Sequence, residues 1–294
     1  MKISAIQISR HRLELTTSFR ASWDGRLRTH FEADVVRVRA ENGMEGIGSG
    51  DRMLGFEGHE DLFIGQDPLL LERHHAVLSN LDFHYGRCWP VDLALWDLAG
   101  KILGQPVWKL LGGKNDRIRA YASSGTLRSP SELADQAERY LEQGFPAMKI
   151  RFQRGNWRDD IKALEAVRSR VGERLKLMVD CNQGWRMPWD TQAPWKLKDA
   201  VAVARVLEPL EVYWMEEPLH RSDRAGMRAL REMTNIRIAG AEMTRSLNEL
   251  QDLIAERCID VIQPDAALVG GITGLRRIAQ MAESSGIMFT PHTW

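Results

Sequence analysis

Cysteine is scarce in this sequence, and no two cysteines have the spacing of a redox or metal motif. Cys88, Cys181 and Cys258 are the only three among 294 residues, and they are scattered along the chain. An odd number of cysteines without a CxxC pair argues against a disulfide framework and against a thiolate zinc site. We therefore expect a reducing compartment, with the cytoplasm as the default location.

Net charge and long apolar runs are also missing. Forty basic and forty acidic residues cancel, so neither a nucleic acid nor an acidic membrane surface is indicated as a partner. No run of 18 apolar residues occurs, and charged residues interrupt each apolar stretch of the N-terminal MKISAIQISRHRLEL. Neither a membrane span nor a signal peptide is therefore predicted.

A phosphate-binding loop is the third feature that is missing. The glycine-rich stretches GIGSG and LVGGITG have neither a Walker lysine nor a GxGxxG register. A nucleotide site of that kind is therefore not indicated, and we expect both stretches to be turns.

The first 113 residues contain strands followed by helices, without alternation. Two strand-like stretches flank an Asn42-Gly43 turn, and two long helical segments come next. The second of these has Pro90 at its start and Gly104 just past its end, which are typical helix boundary residues. This order predicts an α+β domain, which we place at residues 1–113.

After Gly113 the chain alternates between apolar strand candidates and amphipathic helical segments. Such alternation is typical of parallel β/α units buried on both faces, and a long series of units favours a closed (β/α) barrel over an open sheet. We therefore predict an α/β fold in which a TIM-type barrel domain occupies residues 114–294. The seven strand candidates are RIRAYASSG, AMKIRF, LKLMVDCN, VYWMEEP, IRIAGAEM, DVIQPDAA and GIMFTPHTW.

The given sequence stops at Trp294, directly after the seventh strand candidate. An eight-stranded barrel needs roughly 50 further residues at typical unit lengths. We therefore expect a barrel that is incomplete at its C-terminal end. An open parallel edge exposes unpaired backbone groups and is a liability for solubility.

Polar residues follow the apolar stretch of every strand candidate from the second to the seventh. On successive strands these positions are 23 to 36 residues apart, close to the length of one β/α unit. Because a barrel gathers the C-terminal ends of its strands in one ring, we expect these side chains to converge on one mouth. They are Lys149, Arg151, Asp180, Asn182, Glu216, Glu242, Asp265 and His292.

Asp180, Glu216 and Glu242 are carboxylates on neighbouring strand candidates. They would repel one another without a cation between them, and oxygen ligands without cysteine or histidine suit a hard ion. We therefore predict a Mg²⁺ site. Glu217 faces the opposite way from Glu216 on a strand, so only one of the two can be a ligand. We assign Glu216 to the metal and expect Glu217 to face adjacent packing or a basic partner.

Asp265 and His292 lie one β/α unit apart, so their side chains are predicted to touch. A carboxylate that holds an imidazole in one tautomer also raises its basicity, which is a standard arrangement for a general base.

Six ordered motifs resemble the enolase superfamily, specifically its mandelate racemase subgroup. They are KIR, VDCNQGW, MEEP, AGAEM, QPDAALVGGIT and PHTW, together with ALWDLAGKILGQPVWKLLGG at the domain join. The resemblance implies Mg²⁺-dependent abstraction of a proton α to a carboxylate, with a metal-stabilised enediolate. It further implies a small-molecule carboxylate substrate and a homo-oligomer. The N-terminal part would be a capping domain whose loops, around Thr16–Thr29 and Asp51–Gly55, close over the substrate.

The resemblance also assigns roles to individual residues. The three carboxylates Asp180, Glu216 and Glu242 would bind Mg²⁺. His292 with Asp265 would be one base. Lys149 would contact the substrate carboxylate, and Asn182 would donate a hydrogen bond to the substrate.

Arg151 departs from the Lys-x-Lys pair that is frequent in this family, in which the second lysine is a base. Arginine keeps its proton, with a pKa above about 12, and is a poor base. Dehydration of an acid sugar, an aldonate or an aldarate, to a 2-keto-3-deoxy acid therefore fits better than racemisation by two bases. The family's acidic residue on the eighth strand also has no counterpart. A racemase or epimerase, an inactive homologue with a binding or structural role, and a metal-dependent aldolase stay as alternatives.

Several of these residues also have simpler interpretations. Each carboxylate could be an ordinary strand-end acid paired with arginine, and Arg151 could be a structural partner of Glu216 or Asp180. His74 and His75 lie among Glu and Arg on a predicted helix, so we expect them on its solvated face. The tryptophans of the long connection after the third barrel strand could pack in the core or touch substrate; they are Trp185, Trp189 and Trp195.

Overall fold

The computed structural model describes residues 1–20, 25–152 and 155–293, and it contains two β-sheets. The first sheet is antiparallel and comes from the N-terminal part of the chain. Its strands are β1 (Ile3–Phe19), β2 (Arg28–Ala40) and β3 (Glu45–Asp51), in the order β1-β2-β3. A tight turn at Asn42-Gly43, with Gly43 at φ 84°, joins β2 to β3 as predicted.

Three helices follow this sheet: α1 (Leu71–His84), α2 (Trp89–Leu103) and α3 (Val107–Leu110). Pro90 lies in the first turn of α2, and Gly104 ends the helix in a left-handed conformation with φ 62°, as the sequence indicated. The residues that α2 buries pack against Val36 and Val38 of β2, and this packing forms the core of the N-terminal domain.

The GIGSG stretch is not a turn, which corrects the sequence prediction, because it forms most of β3. A Cβ atom at Gly46 would lie 2.0 Å from the carbonyl oxygen of Ala94, and one at Gly48 would lie 2.1 Å from that of Pro90. Alternate glycines in β3 therefore let helix α2 lie directly on the strand backbone, which a larger side chain would prevent.

The prediction that His74 and His75 lie on a solvated face is also wrong. Both side chains are buried, at 0% and 2% exposure. His74 Nε2 lies 2.9 Å from the carbonyl oxygen of Asp67, and its ring stacks on Phe63. The α1 face that contains these histidines packs on the rest of the protein, so neighbouring charges in the sequence gave a misleading indication of exposure.

The second sheet contains seven parallel strands in strict chain order, and it confirms the predicted series of β/α units. Its strands are β4 (Ala122–Ser123), β5 (Ala147–Arg151), β6 (Lys176–Asp180), β7 (Trp214–Glu216), β8 (Arg237–Gly240), β9 (Val261–Ile262) and β10 (Met288–Phe289). The helices around it are α4 (Pro130–Glu142), α5 (Trp157–Val171), α6 (Leu197–Leu207), α7 (Arg224–Met233), α8 (Leu247–Ala255), α9 (Ala266–Val269) and α10 (Gly271–Ser284).

Several of the barrel helices begin at residues whose side chains cap them. Ser129 and Glu132 form a reciprocal capping box at α4, and Asn156, Asp223 and Ser246 accept N-terminal backbone N–H groups of α5, α7 and α8. The apolar faces of these helices pack against the strands to form the largest buried core. The three cysteines are buried and free.

The domain boundary placed after Gly113 falls between α3 and β4, and it stays a prediction. Short 3-10 helices occur at Glu60–Leu62, Gly172–Arg174 and Glu208–Leu210. Among the described residues, no helix is both long and apolar enough to cross a membrane.

Candidate active site

Three carboxylates meet at the carboxyl ends of β6, β7 and β8. Asp180 and Glu216 are the last residues of β6 and β7 and are paired in the strand register, and Glu242 follows β8. One oxygen from each of the three lies within 4.8 Å of the others, and all three side chains are buried. The sequence prediction that these residues converge is therefore confirmed by the geometry.

Each of these strands ends in an unusual backbone conformation. Asn182, Glu217 and Ala241 have positive φ angles of 51°, 44° and 87°. A residue with a side chain in this region costs on the order of 1–3 kcal/mol, and such residues concentrate at functional sites. The strained positions follow Asp180 and Glu216 and precede Glu242, so they set the direction in which the chain leaves the three carboxylates.

Burial and mutual repulsion act together on the triad of Asp180, Glu216 and Glu242. Burial raises the pKa of Asp180, and the nearby Glu216 raises it further. The pKa of Glu242 is raised to about 7, again by burial first and then by Asp180. Both shifts mean that the protein does not compensate the negative charge of these carboxylates in full.

Lys149 is the nearest cation to the triad. Its ammonium group forms an ion pair with Glu216 and lies 3.8 Å from Asp180 Oδ2. Burial by itself would lower the pKa of Lys149, but the carboxylates of Glu216 and Asp180 outweigh it and raise the pKa. The ammonium group of Lys149 and the more distant guanidinium group of Arg151 face three carboxylates, so negative charge is left at the centre, and this excess suits a divalent cation.

Two further residues hold Glu216, and the sequence analysis missed both. Trp214 Nε1 and Gln263 Nε2 donate hydrogen bonds to Glu216 Oε2 at 3.2 and 2.8 Å. Gln263 lies two residues before Asp265, the same spacing that relates Lys149 to Arg151, so strand alternation could have identified it. Trp214 looked like an ordinary core residue, and no sequence signal separated it from the other tryptophans.

Asp265 and His292 form the predicted pair. His292 Nδ1 lies 2.7 Å from Asp265 Oδ2, and a parallel β-bridge joins the two residues. The other oxygen of Asp265 accepts the N–H of Ala267 at 2.7 Å, which fixes the carboxylate as the N-cap of α9. His292 Nε2 faces the triad, 3.4 Å from Glu242 Oε2.

The environment of His292 favours its protonated form. Burial lowers the pKa of this imidazole, but the hydrogen bond to Asp265 and the charge of Glu242 raise it, and the net shift is upward from 6.5. An imidazole in this state gains and loses a proton near neutral pH. The imidazole of His292 therefore has both a fixed orientation and a pKa in the range that a general base needs.

Arg151 lies on the same side of β5 as Lys149. Its guanidinium NH2 is 3.7 Å from Asp180 Oδ2, and its side chain is 29% exposed. This contact agrees with the simpler interpretation of Arg151 as a partner of Asp180, and it also leaves part of the guanidinium accessible.

Asn182 is placed differently from the prediction. Its amide nitrogen donates to the carbonyl oxygens of Phe152 and Asp180, at 3.2 and 2.9 Å. Both N–H bonds are therefore used within the protein, and Oδ1 is the atom that can face a ligand. The resemblance implied a donor at this position, whereas the side-chain atom left over here is an acceptor; a contact of Asn182 with substrate stays a prediction.

Glu217 lies outside the triad and has an unusual environment of its own. Its side chain is buried, and neither carboxylate oxygen has a hydrogen-bond partner among the residues that the structure describes. It packs on Gly184, where a Cβ atom would lie 2.2 Å from Glu217 Oε1. Of the two environments predicted for Glu217, the structure shows adjacent packing. Burial raises its pKa well above the ordinary value.

A cavity of about 970 Å³ lies at the ends of β5 and β6, and its lining includes Arg151 and Asn182 but none of the three carboxylates. Arg151 and Asn182 line its inner end, and the long connection after β6 forms one wall through Trp185, Trp189 and Trp195. Phe19 and Arg20, from the end of β1, also line it, so the first part of the predicted capping loop Thr16–Thr29 reaches the cavity. Residues 21–24 of that loop lie outside the described part of the chain.

Two family models match this chain and together cover most of it. Residues 26–112 match the N-terminal domain of the mandelate racemase / muconate lactonizing enzyme family, and residues 132–294 match the enolase C-terminal domain-like family. The chain is 32% identical to L-talarate/galactarate dehydratase of Salmonella typhimurium, over 88% of this chain and 67% of the relative. It is 30% identical to L-Ala-D/L-Glu epimerase of Bacillus subtilis, over 98% of this chain and 79% of the relative.

A solved structure gives the same result. The structure of L-talarate dehydratase from Polaromonas sp. JS666, complexed with Mg and L-glucarate, superposes with a TM-score of 0.85 at 29% identity, covering 99% of this chain and 81% of that one. Dehydratases and epimerases are thus related to this chain at similar identity. The chain belongs to the mandelate racemase / muconate lactonizing enzyme family of the enolase superfamily.

Proposed function

We propose that this protein is a Mg²⁺-dependent enzyme that removes the proton α to a carboxylate and dehydrates an acid sugar, an aldonate or aldarate, to a 2-keto-3-deoxy acid. One observation carries the proposal. A buried triad of carboxylates lies next to a single imidazole–carboxylate pair, with a guanidinium group where a second amine base would be needed.

The triad fits Mg²⁺ by the chemistry of its donors. Asp180, Glu216 and Glu242 offer three oxygen ligands within 4.8 Å of one another, without sulfur or imidazole, and hard cations prefer such a set. The raised pKa of Glu242, about 7, shows that the site gains from additional positive charge. When bound, Mg²⁺ would neutralise the triad and stabilise the negative charge that develops on the substrate carboxylate.

His292 supplies the base. Its Nε2 atom faces the triad, and Asp265 holds the opposite ring nitrogen, so Nε2 is directed towards the place where the carboxylate end of a substrate would lie. The neutral imidazole takes the proton from the α-carbon, and Asp265 stabilises the resulting imidazolium. Lys149, beside Glu216, adds positive charge next to the substrate carboxylate.

Arg151 favours elimination over racemisation. Racemisation through two bases requires a second group that can accept a proton on the opposite face, and a guanidinium group keeps its proton. Elimination requires one base and one acid. The imidazolium of His292 can return its proton to the leaving β-hydroxyl, which departs as water, and the enol that remains tautomerises to the 2-keto-3-deoxy acid.

The cavity beside Arg151 and Asn182 would hold the rest of the substrate. Arg151 lies between the triad and this cavity, so it can orient a hydroxyl or carboxylate at the distal end of an acid sugar. Tryptophan rings in the wall provide flat apolar surfaces for the C–H faces of a sugar chain. On this proposal the contact between these tryptophans and substrate is a prediction.

The experiment is a screen of aldonic and aldaric acids with Mg²⁺ in D₂O, monitored by NMR for a 2-keto-3-deoxy product and for deuterium at the α-carbon. We expect the keto acid to form without epimerised starting material. His292→Asn, which keeps a polar side chain but provides no base, should abolish it.

Two results would contradict dehydration. Deuterium exchange with inversion at the α-carbon and no loss of water would favour the epimerase, a function that relatives at similar identity have. Tight Mg²⁺ binding without reaction of any acid would favour an inactive homologue. Arg151→Lys is a further test, because it supplies a second amine that can act as a base. If Arg151 suppresses racemisation, this variant should show more deuterium exchange with inversion at the α-carbon than the parent protein.

A further inference from the structure

Helix α2 of the N-terminal domain contacts the start of helix α10 of the barrel through one buried carboxylate. Asp92 Oδ2 accepts the N–H of Thr273 at 3.0 Å, and Asp92 Oδ1 accepts the Thr273 hydroxyl at 2.6 Å. Trp96, one turn further along α2, donates its Nε1–H to the same hydroxyl at 2.8 Å. All three side chains are buried, so water does not compete for these hydrogen bonds.

Helix α10 has no capping side chain of its own. Its N-cap residue is Gly270, and no side-chain hydrogen bond is made there. The first backbone N–H groups of a helix need acceptors, and a carboxylate also interacts favourably with the positive end of the helix dipole. Asp92, which is 181 positions away from Thr273 in sequence, supplies this acceptor from the other domain.

The capped end of α10 lies one short helix away from the Asp265–His292 pair. Helix α9 contains only the four residues Ala266–Val269, with Asp265 as its N-cap and Gly270 as its C-cap. Asp265 uses one oxygen to cap α9 and the other to hold His292. Movement of α9 would therefore move the carboxylate that orients the imidazole.

The corner between α9 and α10 leaves no free space. Gly270 and Gly271 have φ angles of 80° and 86°. A Cβ atom on Gly271 would lie 2.5 Å from Asp92 Oδ2, and one on Gly270 would lie 2.8 Å from His75 Cε1. Two side chains of the N-terminal domain thus fit directly against the backbone of this corner. This contact explains why His75 is buried. The prediction that LVGGITG is a turn is wrong for most of the stretch, because Leu268 and Val269 end α9, residues 271–274 begin α10, and only Gly270 lies between the two helices.

We infer that Asp92 is a positioning residue for the base: by capping α10 from the other domain it fixes the α9–α10 corner, and through α9 it holds Asp265 in the orientation that His292 needs. The catalytic part of this inference rests on the proposed function, whereas the structural part does not. The contact makes the geometry of the base depend on how the two domains are docked.

The charges around Asp92 are compatible with this role. His75 Nδ1 lies 3.9 Å from Asp92 Oδ1, and Glu72 and Arg277 are the charged groups near it on α1 and α10. Burial raises the pKa of Asp92 to about 6, although hydrogen bonds from Thr273 and Ile272 oppose this shift. The carboxylate is thus ionised at neutral pH, in the form that acts as a double acceptor.

Asp92→Asn tests the inference, because it keeps the shape of the side chain and removes its charge and one acceptor. We expect kcat to fall about tenfold with little change in KM, as is typical for loss of a supporting partner around a site. Mg²⁺ affinity, measured by calorimetry, should stay unchanged because the triad is not involved. Hydrogen–deuterium exchange should rise in peptides that cover residues 265–271.

Asp97→Asn is the matched control. Asp97 lies on the same helix, but it is partly exposed and accepts the N–H of Ile47 and an ammonium proton of Lys101, all within the N-terminal domain. Its variant should leave kcat and the exchange of residues 265–271 as they are. Thr273→Val should reproduce the effect of Asp92→Asn. Thr273→Ser keeps the hydroxyl, so its kcat and its exchange in residues 265–271 should match those of the parent protein.

The inference is overturned if Asp92→Asn or Thr273→Val lowers thermal stability while kcat and exchange in residues 265–271 match the parent protein. Thr273→Val decides the question if Asp92→Asn does not fold. If the parent protein turns over no acid sugar, the proposed function fails separately. The exchange measurement then still shows whether Asp92 holds the corner next to Asp265.

Discussion

Buried acids occupy two places in this molecule, and they are compensated in different ways. At the domain junction, Asp92 has a hydroxyl, a helix N-terminus and backbone N–H groups as partners. At the barrel mouth, Asp180, Glu216 and Glu242 lie within 4.8 Å of one another with one close ammonium group, that of Lys149. The partners of Asp92 are hydrogen-bond donors, whereas each acid of the triad faces two other carboxylates as well as cationic groups.

This difference separates a structural carboxylate from a ligand site better than burial does. Both regions are buried and both contain a carboxylate with a raised pKa, about 6 for Asp92 and about 7 for Glu242. At the mouth, repulsion from Asp180 is the largest addition to the effect of burial on Glu242, whereas at the junction repulsion from Glu72 is the smallest of the causes that act on Asp92. An excess of like charge on converging strands therefore indicates a cation, whereas a single capped carboxylate indicates a fixed contact.

Among the variants that test this comparison, Glu216→Gln should have the largest effect on Mg²⁺ binding and turnover. The amide keeps the size of the side chain but removes a ligand charge, so we expect Mg²⁺ binding to disappear from calorimetric titrations and turnover to fall by about 10³-fold or more. Glu217→Gln is the control, since Glu217 is equally buried but lies outside the triad. Equal loss of Mg²⁺ affinity in both variants would show that the triad is wrongly assigned.

Asp265→Asn should have the next largest effect. His292 must be neutral to accept a proton, and its pKa is raised by Asp265, so activity should be lost as pH falls through a value above 6.5. Removing the Asp265 charge lowers the pKa of His292, and the acidic limb of the kcat/KM profile should move to lower pH. The maximum should fall by about 10²–10⁴-fold because the imidazole loses its orientation.

The control for Asp265→Asn is Asp252→Asn, an exposed acid paired with Arg224. Its pH profile should match that of the parent protein. An acidic limb that stays in place in Asp265→Asn would mean that His292 is not the group that titrates.

The smallest effect concerns stability at the domain junction. The folded-state pKa of Asp92, about 6, is above its ordinary value of 3.8, so the folded protein binds a proton more tightly there than the unfolded chain. This contribution is fully present below pH 3.8 and is lost as pH rises to about 6. Relative to Asp92→Asn, the parent protein should therefore lose about 3 kcal/mol of unfolding free energy across this range.

Urea unfolding of the two proteins between about pH 3.5 and 7 measures this difference. The direction of the change in unfolding free energy with pH decides the question, because an acid that stabilises the folded protein in its charged form would give the opposite trend. A parent protein that gains stability relative to Asp92→Asn as pH rises would show that helix capping outweighs the cost of burial.

Much of the fold could be predicted because it depends on local periodicity. Alternating apolar strands and amphipathic helices gave the parallel order, and Pro90 and Gly104 marked the limits of α2 correctly. The β3 glycines were misread as a turn because their purpose, the close approach of α2, is a contact between elements. The pattern of residues within β3 does not indicate which other element packs against the strand.

The candidate site could likewise be predicted where it depends on strand spacing, but not where it depends on contacts between elements. Strand spacing was enough to bring Asp180, Glu216 and Glu242 together and to pair Asp265 with His292, because parallel strands deliver their ends to one place. It was not enough to identify Trp214 and Gln263 as partners of Glu216, or to show which atoms of Asn182 are already used.

The sequence by itself determined which chemical groups stand at the strand ends, since their order along the chain and the period of the β/α unit fix that arrangement. Only the tertiary structure decided how the groups are compensated. Asp92 and Thr273, or Lys149 and Glu216, meet because separate elements pack together, and the energy of a buried charge depends on those neighbours rather than on its own segment.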